Sequence, residues 1–238
     1  MAEKPAEKPV CVVVGVGPGN GESLVRMFAQ KGYQVAALAR NLDRLVHLVS
    51  EIDGVAAYAC DATDPGEVDQ VFSEISRDLG PVETLLYNAG SGTWGGLMEV
   101  SEDDLERAWR VNTMGLFLTA RSVLPAMVEA GAGTIGVTGA TASLRGKPNT
   151  TAFAQAKGAQ RLLAQSIARE YGPEGIHVFY FILDGVVDLP ATREMMSEQP
   201  DDFFLKPDAI AASVYAICQQ PPSAWTFEFD LRPFGENW

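Results

Sequence analysis

The sequence has 238 residues, 47% of them hydrophobic, and a formal net charge of −13, which suits one large α/β domain with a sizeable core. So negative a charge argues against nucleic acid and anionic membranes as partners, and no stretch looks long and apolar enough to span a membrane. Its three widely separated cysteines are typical of core thiols in a reducing compartment, so we expect a cytoplasmic protein.

The first residues repeat a charged tetrapeptide, which predicts a disordered tail over residues 1–9 and a single domain over residues 10–238. Five apolar residues, Val10–Val14, then predict a strand that is buried on both faces. A glycine-rich loop follows this strand. Apolar residues at helical spacing over residues 22–31 predict a helix after the loop.

The loop between this strand and this helix has the composition of a phosphate cradle. Glycines let the backbone turn tightly and approach a pyrophosphate, and the helix N-terminus supplies free N–H groups and the positive end of its dipole. A simple βα turn is the alternative, and the lysine of a P-loop is absent. We predict that the loop binds a dinucleotide through Gly15, Gly17, Gly19, Asn20 and Gly21.

Arg40 follows the second predicted strand, over residues 34–39, and bears on the choice of cofactor. An acidic residue at this place would accept hydrogen bonds from the adenosine ribose, whereas an arginine pairs with a 2′-phosphate. The acid is missing here. We therefore favour NADP(H) over NAD(H), the alternative being a solvated arginine before a helix over residues 43–52.

Polar and small residues follow the third and fourth predicted strands, over residues 55–60 and 82–87. The carboxyl ends of parallel strands form the edge of the sheet at which cofactors bind in such folds. We expect Asp61 to meet an adenine amine, although it could equally cap or turn. The further cofactor candidates at this edge are Ala62, Asn88, Ala89 and Gly90, and we expect no metal site.

Strands and helices alternate through the rest of the chain. The patterns predict strands over residues 133–138, 176–183 and 225–231, and helices over residues 65–79, 101–128, 150–170 and 207–219. Residues 189–205 are polar and irregular, which suits a substrate lid. The alternation predicts a doubly wound parallel sheet of about seven strands with helices on both faces.

Together, these motifs resemble the short-chain dehydrogenase/reductase superfamily over nearly the whole chain. The resemblance rests on Gly15-x-x-x-Gly19-x-Gly21, Asp61, Asn88-Ala89-Gly90 and Asn112 in Arg-Val-Asn-Thr. Val14 stands where the family usually has threonine. The resemblance implies a Rossmann fold, an NAD(P)-dependent oxidoreductase that acts on a carbonyl/alcohol pair, and a homodimer or homotetramer with a small-molecule substrate.

The family's catalytic set is Asn, Ser, Tyr and Lys, and the resemblance gives this chain two of its four members. Asn112 matches the asparagine and Lys157 the lysine, which also binds the cofactor ribose. Phe153 stands at the tyrosine position and Ala140 at the serine position. Phenylalanine has no exchangeable proton and alanine no donor, so the usual acid and carbonyl polariser are missing.

A second departure follows the sixth predicted strand. Gly185 matches a family glycine and is expected at the cofactor, but Asp184 replaces proline and Leu189 replaces the threonine that touches the nicotinamide carboxamide. Asp184 and Asp188 are candidate acids, or simply turn residues. An apolar wall of the substrate pocket is suggested, unless its members belong to the core, by Trp94, Leu97, Met195, Met196 and Phe203.

Two functional classes remain open. One is an oxidoreductase with an unusual proton route, and the other is a nucleotide-binding homologue that lost its chemistry and serves as a sensor or interaction module. A stripe of small and apolar residues on the sixth predicted helix favours close helix packing in an oligomer, unless it packs on the chain's own sheet. The stripe consists of Ala152, Ala156, Ala159 and Leu163.

Overall fold

The computed structural model describes residues 8–235, so the predicted tail lies outside the described residues up to residue 7. The strands are β1 (Val10–Val14), β2 (Gln34–Ala39), β3 (Val55–Ala59), β4 (Val82–Tyr87), β5 (Gly133–Ala140), β6 (Ile176–Leu183), β7 (Val186–Val187), β8 (Phe204–Leu205) and β9 (Glu228–Leu231). Seven of them form a parallel sheet in the order β3-β2-β1-β4-β5-β6-β9. The predicted doubly wound sheet is confirmed.

Helices cover both faces of this sheet. They are α1 (Asn20–Gln30), α2 (Val46–Glu51), α3 (Pro65–Asp78), α4 (Glu102–Trp109), α5 (Gly115–Ala130), α6 (Thr151–Tyr171), α7 (Pro190–Met195) and α8 (Pro207–Cys218). One core cluster joins the sheet to α3, α5 and α6, and a second joins it to α1, α2 and α8. β1 supplies alternate residues to both clusters, which explains its unbroken apolar run.

Local signals fix where the central helices begin and end. Ser101 and Asp104 form a capping box at the start of α4, and the Asp64 carboxylate accepts the first free N–H groups of α3, so orphan donors find partners. Gly131 ends α5 with a φ of +62°, a conformation that favours glycine. The α4 helix that begins at this capping box leads directly into the segment that carries Asn112.

A π-helical turn over Arg110–Met114 separates α4 from α5, where the sequence predicts one continuous helix. The N–H of Gly115 bonds to the carbonyl of Arg110, five residues back. The Asn112 side chain enters the hydrogen-bond ladder, because its Nδ2 donates to Ala108 O at 2.8 Å. Side-chain insertion of this kind interrupts an α-helix, and helical periodicity does not reveal it.

The segment over residues 189–205 is more regular than predicted. It contains α7, a 3₁₀ turn over Asp201–Phe203, and β8, which pairs with β7. Arg193 and Lys206 each form ion pairs with both Asp188 and Asp201. These charges, which a sequence pattern treats as solvated polar residues, tie the segment together.

Taken together, α4, the π turn and α5 (Glu102–Ala130) are, by length and composition, apolar enough to cross a membrane, contrary to the expectation that no stretch is. Half of the most apolar window of this stretch is buried inside the fold. Its buried residues include Leu116, Ala120, Val123 and Met127, which all join the core cluster beneath α5. A core helix has the same composition for this reason.

The small-residue stripe of α6 does not form the free surface that the oligomer prediction needs. Ala152 and Ala156 are fully buried in a cluster with Ala108 of α4. The close approach that small residues permit is therefore realised between α4 and α6 of the same chain. Ala159 and Leu163 remain partly exposed.

Candidate functional site

A cleft of about 1000 Å³ opens at the carboxyl ends of β1, β2, β3 and β4. This is the edge at which open α/β sheets bind ligands. The structure brings many of the predicted cofactor residues to its lining, namely Gly15, Gly17, Arg40, Asp61, Ala62, Asn88, Ala89 and Gly90. Residues of α4, including Asp103 and Arg107, form another wall.

The glycine loop needs glycine at two positions for steric reasons. Gly15 has a φ of +84°, and a Cβ on it would lie 2.5 Å from the backbone of Ala89. A Cβ on Gly21, in the first turn of α1, would lie 2.8 Å from Val16 Cα. The loop, the start of α1 and the residues after β4 are thus in backbone contact, which is the geometry of a phosphate cradle.

Asn88 joins the glycine loop to the centre of the sheet. Its Nδ2 donates to Gly15 O at 2.9 Å, and its Oδ1 accepts from Thr138 Oγ1 at 3.0 Å. The side chain therefore cross-links the ends of β1, β4 and β5. It positions the loop and lines the cleft together with Ala89 and Gly90.

Two charged residues at the far end of the cleft differ in how they are held. Arg40 is exposed and has no side-chain partner among the residues that the structure describes. Asp61 also lines the cleft, but its Oδ1 accepts from both the N–H and the hydroxyl of Thr63. Asp61 is thus a turn residue that still faces the cleft, and both of its predicted roles remain compatible with the structure.

Lys157, on α6, is buried with 4% of its surface exposed. Its Nζ donates to Thr138 O at 2.8 Å and to Gln160 Oε1 at 3.0 Å. Burial lowers the pKa of Lys157 to about 7, because a buried site with no nearby carboxylate disfavours the ammonium. The amine is therefore divided between its charged and neutral forms at neutral pH.

Asn112 and Lys157 border the same small space beside Gly90. A Cβ on Gly90 would lie 3.5 Å from Asn112 Oδ1 and 3.8 Å from Lys157 Nζ. Asn112 is fully buried, and its Oδ1 has no hydrogen-bond partner among the described residues. A buried acceptor without a donor is rare, so this space suits a hydroxyl or a water that bonds to both groups.

Phe153 and Ala140 stand where the sequence places them, on α6 and at the end of β5. The Phe153 ring packs against Trp94, with ring centroids 5.1 Å apart. The loop that carries Trp94 is anchored beside α6, because Gly95 forms a β-bridge with Thr150. The Gly95 N–H donates to Asn149 O, and its carbonyl accepts from the Thr151 N–H. An aromatic pair thus stands at the position at which the family has its tyrosine.

The two candidate acids after β6 are engaged elsewhere. Asp184 accepts a hydrogen bond from Thr141 Oγ1 and lies 3.6 Å from Arg232. Arg193 and Lys206 bond to Asp188 and hold its pKa well below the usual range. An acid held ionised by two cations is a poor proton donor at neutral pH.

Leu189 covers the glycine loop from the opposite side. A Cβ on Gly19 would lie 2.0 Å from Leu189 Cδ2, so the two residues are in contact. Gly185 packs instead towards Pro233 and Leu205, and it does not line the cleft. Its cofactor role stays a prediction. Of the predicted apolar wall, Trp94, Leu97, Met195 and Met196 are exposed and Phe203 is half-buried.

Three polar residues of the site were not predicted from the sequence. Gln160 and Tyr180 contact Lys157, and the Tyr87 hydroxyl donates to Val111 O in the π turn. All three are fully buried. A glutamine one turn after a site lysine was the available signal, whereas Tyr87 and Tyr180 lie in strands that read as ordinary core.

Comparisons with known proteins agree with this geometry. The family model for short chain dehydrogenases matches residues 9–200. A 3-oxoacyl-[acyl-carrier-protein] reductase from Rattus norvegicus is 30% identical over 190 residues, which cover 79% of this chain and 80% of the relative.

Two solved structures extend the comparison to nearly the whole chain. A short-chain dehydrogenase from Rhodopseudomonas palustris is 33% identical with a TM-score of 0.83, and the match covers 97% of this chain and 100% of the other. An alcohol dehydrogenase from Thermococcus sibiricus, complexed with 5-hydroxy-NADP, is 26% identical with a TM-score of 0.87 and coverages of 97% and 99%. The chain therefore belongs to the short-chain dehydrogenase family.

Proposed function

We propose that this protein is an NADP(H)-dependent oxidoreductase that acts on a carbonyl/alcohol pair by a proton route without the family's tyrosine. The observation that carries the proposal is the convergence at Gly90. The phosphate cradle and Arg40 line the same cleft as Gly90. Asn112 and Lys157 border the space beside Gly90. A fold that had kept only nucleotide binding would still use Lys157 to hold the ribose, but it would have less need of a buried asparagine there.

The residues present fit a dinucleotide with a 2′-phosphate. Glycines 15 and 21 leave no room for a Cβ, and the N-terminus of α1 offers N–H groups to a diphosphate. Arg40 is an exposed guanidinium without a partner among the described residues, ready to pair with phosphate. The Thermococcus sibiricus relative, complexed with 5-hydroxy-NADP, supports this assignment. Bound nicotinamide would supply or accept the hydride.

The chain's own polar groups then bind and orient the cofactor. In its charged form Lys157 has three N–H donors. Two of them have partners in Thr138 O and Gln160 Oε1, which leaves one for a ribose hydroxyl. Asn112 Oδ1 accepts from a hydroxyl or water in the space beside Gly90. With Phe153 at the tyrosine position, proton exchange falls to such a water rather than to a phenol.

We assign an apolar small molecule as the substrate, on the strength of the Trp94–Phe153 pair. Trp94 is 64% exposed, yet its ring is held against Phe153 by an anchored loop. An exposed aromatic ring fixed in this way offers a stacking surface. The rings border the position at which the family's tyrosine would act, so they form one wall of the substrate pocket.

The proposal includes a homodimer or homotetramer in a reducing compartment such as the cytoplasm. Exposed apolar side chains lie on α4, α5 and α6, at Leu105, Phe117 and Leu162; because Ala152 and Ala156 are covered, these side chains are the better candidates for the contact. The three cysteines are unpaired. Light scattering tests the assembly: an oligomer that Leu162→Glu dissociates is expected, and a monomer at every concentration contradicts it.

The experiment that tests the function is a screen of aromatic and aliphatic carbonyls for NADPH oxidation by the wild type and by Lys157→Met. Turnover by the wild type, lost in Lys157→Met and retained in the control variant Lys31→Met, is the expected result. NADPH binding with no turnover of any carbonyl would instead favour the nucleotide-binding sensor. Absence of NADPH binding would reject the proposed function, and absence of both NADPH and NADH binding would reject the sensor as well.

A further inference from the structure

Gln160 is a fully buried amide whose hydrogen bonds all lead to the site. It lies on α6 one turn after Lys157 and has 0% of its surface exposed. Its Oε1 accepts from Lys157 Nζ at 3.0 Å and from the Tyr180 hydroxyl at 3.3 Å. Its Nε2 donates to Asn112 O at 2.9 Å. One side chain thus bridges Lys157, the π turn and β6.

Packing alone does not account for an amide at this position. A leucine would fill a similar volume without the penalty of burying a polar group, and the neighbouring buried positions of α6, such as Ala156 and Ala164, are apolar. A buried amide is tolerated when its donors and acceptors are satisfied, and it then specifies one arrangement of its neighbours. The arrangement specified here is that of Lys157 relative to the π turn.

The π turn itself depends on contacts of this kind. Asn112 Nδ2, the Tyr87 hydroxyl and Gln160 Nε2 donate to three carbonyls between residues 108 and 112. Two of these donors come from outside the helix, one from β4 and one from α6. Gln160 is the member of this set that also contacts Lys157, so it transmits the position of the turn to the ammonium.

We propose that Gln160 is a positioning residue that fixes Lys157 Nζ relative to Asn112. It thereby sets the direction of the remaining N–H of the lysine and the protonation of its amine. The expected effect on cofactor binding rests on the proposed function, whereas the expected effect on Lys157 itself does not. Gln160 holds one N–H of Lys157, and Thr138 O holds a second. The remaining N–H is directed by these two bonds. Without Gln160, the flexible lysine stem could adopt other rotamers.

The surroundings of Nζ are otherwise neutral, which makes the effect measurable. Tyr180 of β6 is the titratable group that shares Gln160 Oε1 with Lys157. Thr138 of β5 contributes a carbonyl, and Asn112 of the π turn an amide. Lys157 forms no ion pair with any carboxylate in the described part of the chain. An acceptor on the ammonium raises the pKa of the amine, so loss of Gln160 lowers it.

The first test is a double-mutant cycle read by NADPH titration calorimetry. Gln160→Leu should weaken NADPH binding about tenfold in the wild-type background, the lower range for a hydrogen bond to a charged group. In the Lys157→Met background, the same substitution should change binding less than about twofold, because Gln160 acts through the lysine. Gln165→Leu, on the same helix, is the matched control. Equal losses in both backgrounds would overturn the proposal.

The second test needs neither cofactor nor turnover, and it remains informative where Gln160→Leu does not fold. The ¹³Cε resonance of Lys157, assigned by its loss in Lys157→Met, is titrated in the wild type, in Gln160→Glu and in Gln165→Glu. A carboxylate at position 160 should raise the pKa of Lys157, and Gln165→Glu should leave it unchanged. An unshifted pKa in Gln160→Glu would refute the positioning role, whereas failure of the wild type to bind NADPH would refute only the proposed function.

Discussion

Restoring the family's missing groups is the perturbation that most sharply examines the chemistry of this site. The double variant Ala140→Ser/Phe153→Tyr would place a hydroxyl at the end of β5 and a phenol one helical turn before Lys157. The Phe153 ring is half-buried and packs on Trp94. A tyrosine therefore keeps the ring contact and adds only the hydroxyl, so the fold should tolerate the change.

The magnitude follows from what the two groups supply. A positioned general acid is worth about 10²- to 10⁴-fold, and one donor to the carbonyl oxygen about 10²- to 10³-fold. Burial lowers the pKa of Lys157, so a mildly acidic assay at pH 6.5 favours the charged amine, which lowers the pKa of a nearby phenol. Reduction of activated carbonyls by NADPH at pH 6.5 should accelerate at least about 10²-fold over the wild type.

The assay is NADPH oxidation, followed at 340 nm, with the single Phe153→Tyr variant and the triple variant that adds Lys157→Met as controls. The single variant should recover part of the gain, because members of a catalytic unit are not additive, and the triple variant should lose it. A wild type as fast as the double variant would show that the protein has a competent proton route of its own. A double variant that binds NADPH but reduces nothing would point to a remodelled nicotinamide pocket, in which Asp184 and Leu189 replace the family's proline and threonine.

Three further predictions follow. Arg40→Ala should weaken NADPH binding about tenfold or more and leave NADH binding unchanged in calorimetry, because a charged hydrogen bond to phosphate is lost; equal losses would contradict the 2′-phosphate role. Gly139→Ala should destabilise the fold by about 1–3 kcal/mol in urea unfolding, since the new Cβ would lie 2.2 Å from Tyr180 Cε1. In a Tyr180→Val background, the same substitution should lose most of this cost. A Gly139→Ala variant as stable as the wild type would refute the clash. Burial lowers the pKa of His177 from 6.5, so the unfolded state binds more protons below pH 6.5 and stability falls as the pH drops through this range; His177→Phe should flatten that dependence, and an unchanged slope would contradict it.

The sheet could be predicted because its signals are local and strong. The apolar run Val10–Val14 and the glycines after it define a strand and a cradle without reference to the rest of the chain, and both lie where expected. The strands β2, β4 and β6 match their predicted bounds. Buried parallel strands show continuous apolar runs, and such runs can be recognised without knowing where the flanking helices pack.

What the sequence did not reveal depends on contacts between distant segments. The π turn forms because Asn112 enters its own helix and Tyr87 reaches it from β4, and neither bond has a periodic signature. Gln160 reads as one polar residue of an amphipathic helix until its partners are known. Ala152 and Ala156 predict close approach of a helix but not which helix approaches, and here it is α4.

The segment after β6 illustrates a different limit. Residues 189–205 lack an apolar period, so they read as an irregular lid, yet paired charges around Asp188 order them. Contact of Leu189 with Gly19 also brings this segment onto the glycine loop. Ion pairs between residues several positions apart depend on the folded backbone, and composition alone does not distinguish them from solvated charges.

The central claim, that this site still transfers hydride, is tested most directly by isotope transfer. The wild type is incubated with NADPH deuterated at either the 4R or the 4S position, together with a carbonyl that the Ala140→Ser/Phe153→Tyr variant reduces. Mass spectrometry of the alcohol then reports the label. We expect deuterium at the former carbonyl carbon from one of the two cofactor isotopomers and not from the other. An unlabelled, unreduced carbonyl after incubation with NADPH-saturated wild type would contradict the claim.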